Sequence, residues 1–271
     1  MTLLEQAQAV LYGLSQELVP LNCYWYGAVV VDGQDAVHLL EAKGPCKPPE
    51  PGQEMHPPYD LGWPDANGSP LVGKFGQGEE KRWIAFTDCS GFISWVVQHL
   101  NPNTYAAIQE QVGKIKGDFD SKLGGYLRTI DEQHHQNWPS AADFAVLGIL
   151  GQATAPLQSL GGNDKLDLAT LQSGDILAWG LDPGGTDTGH VVFLVGTPVF
   201  DGDSWSVDVI DSSTLLHDND NRPGQSHTGV GQGTINLQWN QEKDRWFINF
   251  DVQSTDHYRP ARHTSALRVA V

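Results

Sequence analysis

The chain has 271 residues, of which 39% are hydrophobic and 18% are charged, a composition that suits a globular protein with one sizeable core. Its 33 acidic and 16 basic residues give a formal net charge of -17, which argues against binding to nucleic acid or an anionic membrane and leaves a cationic protein as one partner class. No apolar run approaches the roughly 18 residues that cross a bilayer.

The N-terminal part is expected to begin with a helix and to continue as strand and loop. Thr2 and Glu5 have the spacing of a capping box, and the apolar residues that follow recur at helical intervals. Residues 22–32 are rich in β-branched and aromatic side chains, which favours a strand. The Pro- and Gly-rich run 44–78 has little apolar periodicity and is predicted to be loop.

Three further helices are predicted in the middle of the chain. Their expected N-caps are Thr87 or Asp88, Asn103 or Thr104, and Ser140. The Asn101-Pro102 pair is expected to end the first of these helices. The second helix places Phe119 on its apolar face, and Asp143 follows Ser140 at a distance that indicates a capped helix start.

From Gly174 onward the apolar residues fall into short β-rich runs separated by turn residues. The predicted strands cover residues 175–179, 190–195, 205–210, 233–239, 246–252 and 265–271. Helices followed by strands, without regular alternation, indicate an α+β protein whose helices pack on a C-terminal antiparallel sheet. We expect one domain over residues 1–271.

One cysteine stands where a predicted helix begins. Cys89 follows Asp88 and precedes Ser90 and Gly91, so its thiol lies in the first turn. The unpaired N–H groups and the helix dipole there favour the thiolate, which is the reactive form. The N–H groups of Cys89 and its neighbours are also expected to hold an oxyanion. Cys89 is therefore a candidate nucleophile, with a buried, unreactive cysteine as the alternative.

A histidine and an aspartate belong to the apolar strands that follow. His190 opens the predicted strand 190–195, at the rim of the sheet, where an imidazole can act as general base for a thiol. Asp211 ends a neighbouring strand and is expected to orient His190 through its Nδ1–H. Asp211 could instead cap the next loop, Asp208 is expected on the same face, and His217 is the substitute for Asp211.

These residues, in this order, resemble the motifs of the NlpC/P60 cysteine peptidases. The similar segments are Asp88-Cys89-Ser90-Gly91-Phe92, Leu171 to Leu177 with its Gly174-Asp175 pair, and Gly189-His190-Val191. They correspond to the family patterns D-C-S-G-[FL], L-x-x-G-D-[IL] and H-V-[GA]. Upstream, Tyr24 matches the tyrosine of the family's Y-x-[WY]-G segment.

The resemblance implies a papain-like fold that cleaves a peptide or amide bond in bacterial cell-wall stem peptides, commonly next to D-glutamate. It implies Cys89 as nucleophile, His190 as base, Asp211 as orienting residue, and Tyr24, Asp88 and Ser90 as substrate-binding residues. Family members often carry histidine as the third catalytic residue, where this chain has Asp211. Residues 44–78 and 103–162 would be long insertions relative to the family.

Two other functions stay open at this point. The first is an intracellular or effector-type protease, deamidase or acyltransferase on the same fold, since residues 1–18 lack the layout of a secretion signal. Without that layout, the protein is expected to be cytoplasmic or exported by a non-classical route. The second is a catalytically silent binding module, which predicts an ordinary thiol at Cys89.

No metal or other cofactor is expected. The run that begins at Asp218 starts like a calcium loop, but Pro223 stands where that loop needs glycine and Gly229 where it needs glutamate. His134-His135 lacks a second ligand pair at zinc spacing. A Cys23–Cys46 disulfide is an option, with two unreactive cysteines as the alternative. The alternating glycines of residues 229–233 are interpreted as turn residues.

Overall fold

The computed structural model describes eleven segments of the chain. They are residues 1–17, 21–24, 28–30, 37–39, 71–75, 82–133, 138–150, 156–183, 188–223, 228–249 and 258–269. These residues contain five α-helices: α1 (Leu3–Ser15), α2 (Cys89–Leu100), α3 (Pro102–Gly117), α4 (Lys122–Gln133) and α5 (Ala141–Leu150). Within the described segments, none of the helices has the length and apolarity needed to cross a bilayer.

Most of the strands belong to one antiparallel sheet. Its members are β6 (Leu157–Gly162), β7 (Ile176–Gly180), β8 (Gly189–Leu194), β9 (Val199–Phe200), β10 (Trp205–Ser213), β11 (Gly229–Asn240), β12 (Arg245–Asn249), β13 (Arg259–Pro260) and β14 (His263–Val269), whereas β1–β5 precede them in the chain. The order across the sheet is β13-β12-β11-β10-β8-β7-β14-β6, and β9 pairs with β10. The protein is therefore α+β, with a nine-stranded sheet.

Two smaller sheets lie N-terminal to α2. One contains β1 (Leu21–Cys23), β5 (Arg82–Phe86) and β4 (Leu71–Phe75), in that order, and the other pairs β2 (Ala28–Val30) with β3 (Val37–Leu39). The β1 and β5 strands run parallel, with Cys23 opposite Phe86. Chain positions that are far apart in sequence therefore become neighbours just before α2 begins.

The predicted N-caps of α1, α2 and α5 agree with the structure, whereas the predicted start and apolar face of α3 do not. The Thr2–Glu5 capping box is present, and Asp88 and Ser140 each accept a backbone N–H at the start of α2 and α5. The predicted start of α3 is wrong, because Asn101 both follows α2 and caps α3 with Pro102 in the first helical turn. Phe119 lies beyond α3 and is 79% exposed, so its predicted apolar contact is also wrong.

Several elements were not predicted: helix α4 and the strands β3, β4, β5, β6, β9 and β13. Helix α4 contains the Gly124-Gly125 pair, which disfavours a helix by propensity. Strand β4 lies inside the run predicted to be loop, while the described structure does not include the rest of that run. The six predicted C-terminal strands correspond to β7, β8, β10, β11, β12 and β14, with changes of a few residues at their ends.

Both faces of the central strands are buried, and adjacent residues of β8 show this. Val191 and Phe193 pack in a cluster with α1, α2, α3 and α5, whereas Val192 and Leu194 join a second cluster on the opposite face. A strand covered on both sides needs a continuous apolar sequence rather than an alternating one. His190 is the polar exception at the beginning of this strand.

The Gly174-Asp175 pair has a structural role. Gly174 has φ +89, a conformation that favours glycine, and turns the chain into β7. The buried Asp175 carboxylate accepts two hydrogen bonds from Arg268 of β14, at 2.7 and 2.8 Å, and one from the Gln172 N–H at 2.8 Å. This motif therefore joins β7 to β14 instead of contributing chemistry.

Replacing Asp175 with asparagine should destabilise the protein, because it removes the buried negative charge that accepts both hydrogen bonds of the partly exposed Arg268 guanidinium. We expect the free energy of unfolding to fall by about 1.5 kcal/mol in urea denaturation. The control is Glu242→Gln at an exposed carboxylate in the turn before β12, which should change it by less than about 0.5 kcal/mol. Equal effects of the two substitutions would contradict this role for Asp175.

Candidate active site

Cys89 is the first residue of α2, and its side chain is buried. Asp88 precedes it as N-cap with extended backbone, and its Oδ1 accepts a hydrogen bond from the Gly91 N–H at 2.5 Å. The thiol thus lies at the positive end of the helix dipole, as predicted. The Gly91 N–H is bonded to Asp88 and is therefore not a donor for an oxyanion. Of the N–H groups expected to hold an oxyanion, this one is excluded.

His190 is the second residue of β8, and the glycine before it allows the strand to start there. Gly189 has φ +127, and a Cβ at this position would lie 2.0 Å from the backbone oxygen of Trp179 on the neighbouring strand β7. No other residue fits this close approach of two strands. The His190 ring lies against the Trp179 indole, with 5.3 Å between the ring centroids.

Asp211 contacts His190 directly, from within β10. Its Oδ2 forms a short hydrogen bond with His190 Nε2, and both side chains are buried. The predicted pairing of these residues is therefore present, but the predicted ring nitrogen, Nδ1, is wrong. An imidazole held through Nε2 has its Nδ1 edge turned away from the carboxylate.

The two alternatives to Asp211 have other places in the structure. Asp208 is exposed and accepts a hydrogen bond from Thr234 Oγ1 at 2.7 Å, so its predicted position on the face of Asp211 is wrong. Side chains alternate along a strand, and residues three apart point to opposite faces. His217 does not replace Asp211: its Nε2 lies 2.8 Å from the same Oδ2 that contacts His190.

Three observations place His190 and Asp211 beside the start of α2. Helix α2 packs against both β8 and β10. Ser212, next to Asp211, donates a hydrogen bond through its hydroxyl to the Thr87 carbonyl at 2.7 Å. The charge of His190 also contributes to the electrostatics of Asp88, the neighbour of Cys89. The structure thus brings the three predicted catalytic residues to one end of the sheet.

Asp88 and Ser90 form a polar group on either side of Cys89. Ser90 Oγ donates to Asp88 Oδ1 at 3.0 Å, and the Trp138 indole N–H lies 3.3 Å from Asp88 Oδ1 and 3.2 Å from Ser90 Oγ. Burial raises the pKa of Asp88 to about 6, although hydrogen bonds from Gly91, Ser90 and Trp138 and the charge of His190 lower it. Asp88 therefore titrates in the weakly acidic range.

Tyr24 comes next to the same segment through the parallel pairing of β1 and β5. It directly follows Cys23, which is opposite Phe86, and Phe86 leads through Thr87 into the helix. The Tyr24 side chain is buried. The long separation between Tyr24 and Cys89 in sequence is thus closed by strand pairing. Trp25 and Tyr26 of the predicted aromatic segment lie outside the described residues.

Sequence reasoning missed four residues of this region: Asn22, Trp138, Asp220 and Arg222. The Asn22 side chain bonds to both backbone groups of Val230 at 2.7 Å, which ties β1 to β11. Arg222 Nη2 donates to Asp211 Oδ1 at 2.7 Å, and Arg222 Nε donates to Asp220 Oδ2 at 2.9 Å. The run that begins at Asp218, which starts like a calcium loop, therefore supports the candidate site through Asp220 and Arg222.

The alternating glycines of β11 are the sequence signal that was misread. A Cβ at Gly229 would lie 2.3 Å from Asn22 Oδ1, one at Gly231 2.0 Å from Arg222 Cγ, and one at Gly233 2.6 Å from His217 Cβ. These glycines lie within a strand, so the turn interpretation is wrong. They leave one face of β11 open, and the loop that carries His217 and Arg222 packs there.

His190, Asp211 and His217 also have the composition of a metal site, with ligand atoms within 4.8 Å of one another. Both imidazoles, however, face the same carboxylate oxygen, and Arg222 binds the other. A cation would have to displace those hydrogen bonds beside a buried guanidinium, which repels it. These contacts fit a hydrogen-bonded cluster of the two histidines, Asp211 and Arg222 better than they fit a metal site. His134 and His135 lie outside the described residues.

Comparison of the chain with protein-family models, curated proteins and solved structures gave no match.

The pKa of Asp88 predicts how Asp88→Asn changes stability with pH. Between pH 3.8 and about 6 the folded protein keeps the Asp88 proton that the unfolded chain loses. The free energy of unfolding of the wild-type protein therefore falls as the pH rises, and the stability due to this proton is lost above about pH 6. Asparagine can cap the helix without titrating. Relative to wild type, the variant should gain up to about 3 kcal/mol between pH 4 and pH 7.

Urea unfolding of both proteins at several pH values in this range measures the difference directly. A difference in unfolding free energy that does not change with pH would contradict the assigned environment of Asp88.

Proposed function

We propose that the protein is a cysteine hydrolase of papain-like architecture that cleaves a peptide or amide bond. The observation that carries the proposal is the buried His190–Asp211 hydrogen bond at the end of the sheet on which the Cys89 helix packs. A thiol at a helix N-terminus, an imidazole and an orienting carboxylate are the three groups that thiolate catalysis uses. The resemblance of the chain to NlpC/P60 peptidases supports the same assignment.

In the proposed reaction the Nδ1 of His190 takes the proton of the Cys89 thiol. The thiolate attacks the carbonyl carbon, and the imidazolium then gives its proton to the leaving amine as the C–N bond breaks. Water, deprotonated by His190, hydrolyses the thioester and regenerates the thiol. Asp211 stabilises the imidazolium and fixes the ring through Nε2 in both half-reactions.

The α2 N-terminus favours the first step because its dipole stabilises the negative sulfur. Asp211 places a fixed negative charge beside the imidazolium and stabilises it. Burial would raise the pKa of Asp211, but the charges of Arg222 and His217 and the hydrogen bonds with both histidines hold that pKa well below its usual range. Asp211 therefore stays ionised at every pH at which the enzyme would work.

The proposed substrate is a stem peptide of the bacterial cell wall, by resemblance to NlpC/P60 enzymes. Tyr24, Asp88 and Ser90 are the proposed binding residues, and their position beside Cys89 supports that role. Asp88 and Ser90 present polar groups on the chain segments next to the nucleophile. A partly ionised carboxylate can bind an amine or donate to a carbonyl, depending on its proton.

A second candidate is the same chemistry on a protein side chain or protein backbone, as in a deamidase, an acyltransferase or an effector-type protease. Trp138 favours a specialised substrate, because it belongs to the proposed insertion and yet bonds to Asp88 and Ser90. Incubation with muropeptides and with cytosolic proteins, followed by mass spectrometry, separates the two. Products from muropeptides alone would exclude the second candidate.

Replacement of Cys89 with alanine should abolish the activity while leaving the fold intact, because it removes the nucleophile and one buried sulfur. We expect kcat/KM for muropeptide hydrolysis to fall by at least about a thousandfold. Product formation is followed by chromatography with a chelator present, which also excludes a contribution from a bound cation. The matched control is Gly196→Ala, at an uncrowded glycine in the bend that follows β8.

Undiminished hydrolysis by the Cys89→Ala protein would contradict the thiolate mechanism. Loss of hydrolysis in the chelator, with full activity in its absence, would favour the metal interpretation of His190, Asp211 and His217.

A further inference from the structure

Arg222 is a buried arginine at the centre of the candidate site, and each of its guanidinium nitrogens has a partner. Nη2 donates to Asp211 Oδ1 at 2.7 Å, Nε donates to Asp220 Oδ2 at 2.9 Å, and Nη1 donates to the Gly229 carbonyl. The side chain is completely enclosed. Burial of this charge costs desolvation free energy, which its contacts must offset.

The rest of the loop is organised around this guanidinium. Asp220 Oδ1 accepts the Arg222 N–H at 2.9 Å, and Asp220 Oδ2 accepts the His217 N–H at 3.0 Å. Gly231, directly opposite Asp211 on β11, leaves the space that the Arg222 stem occupies. The loop and the glycine face of β11 thus hold Arg222 against one oxygen of Asp211.

This arrangement divides the two oxygens of Asp211 between two tasks. Oδ1 is bound to Arg222, and Oδ2 is directed to His190 and His217. A carboxylate held through only one oxygen can rotate about that contact, whereas Asp211 is held at Oδ1 by Arg222 and at Oδ2 by the two histidines. The two-point support therefore sets the direction in which the imidazole of His190 is held.

We infer that Arg222 is a positioning residue of the proposed reaction: seated on the glycine face of β11, it holds Asp211 ionised and oriented toward His190. This inference rests on the proposed function. The charged and titratable groups that face Asp211 are His190 from β8, and His217, Asp220 and Arg222 from the loop after β10. Asp88, the N-cap of α2, lies near enough to His190 for the charge of His190 to lower its pKa.

A purely structural arginine would make a different prediction. Its loss would lower stability and reduce every activity in proportion, without changing the pH at which the thiol becomes reactive. If Arg222 acts through Asp211, its removal lets burial raise the pKa of that carboxyl. The imidazolium then lacks its counter-charge in weak acid, so the thiolate forms only at higher pH.

The experiment measures alkylation of Cys89 by iodoacetamide between pH 4 and pH 9, using mass spectrometry of the peptide that contains Cys89. The variants are Arg222→Met, Arg222→Lys, Asp211→Asn and the double substitution Asp211→Asn/Arg222→Met. Gly231→Ala displaces the Arg222 stem without removing its charge, and Gly196→Ala is the control at an uncrowded glycine. Thermal unfolding is recorded for each protein, and kcat/KM is measured with muropeptides.

For Arg222→Met we expect the acidic limb of the alkylation profile to move up by about one pH unit, and kcat/KM to fall by roughly tenfold to a hundredfold. Arg222→Lys should restore the pH profile in part, because the charge remains and the planar fork is lost. In the Asp211→Asn protein, further replacement of Arg222 should add less than about twofold, since the two residues act as one unit.

An alkylation profile of Arg222→Met that matches wild type would overturn the inference, as would effects of the two substitutions that multiply. If Arg222→Met does not fold, Arg222→Lys and Gly231→Ala provide the same comparison. Failure of the proposed function has a different signature: Cys89 of the wild-type protein would then react no faster than the same thiol in the urea-unfolded chain.

Discussion

A single buried carboxylate, Asp211, joins the parts of the molecule that form the candidate site. Its two oxygens bind His190 on one strand, and His217 and Arg222 in the loop that follows its own strand. An uncompensated carboxylate at this depth would be strongly destabilising, so these partners must all be in place when the protein folds. The contacts of Asp211 with the strand and the loop thus hold the imidazole in one direction.

The surrounding fold supplies the positions that this group needs. Gly189 lets β8 start with His190 close to β7, the glycines of β11 make room for the loop, and Asn22 ties β1 to β11. The parallel pairing of β1 and β5 leads directly into the Asp88 cap, so the chain at Tyr24 comes next to the segment that follows Phe86. Asp175 belongs to this framework and connects two strands through Arg268.

Local patterns predicted the features that local interactions determine. The caps of α1, α2 and α5 follow from side chains three residues apart, and the apolar runs of the C-terminal half predicted the central strands. The pairing of His190 with Asp211 was also predictable, because His190 begins one apolar strand and Asp211 lies near the end of a neighbouring one. Contacts between distant segments were not: nothing near Trp138 or Arg222 in sequence indicates that they reach Asp88 and Asp211. The β11 glycines did carry a signal, since alternation within a strand marks one open face.

In the proposed mechanism, the α2 terminus and His190 together ionise the Cys89 thiol. The most direct measurement is the ultraviolet absorbance of the thiolate during a pH titration, taken as the difference between the wild-type protein and Cys89→Ser. We expect a pKa well below the 8.5 or so of a free cysteine, returning toward that value in His190→Ala. A wild-type thiol that titrates at about 8.5 or higher, unaffected by His190, would contradict the account.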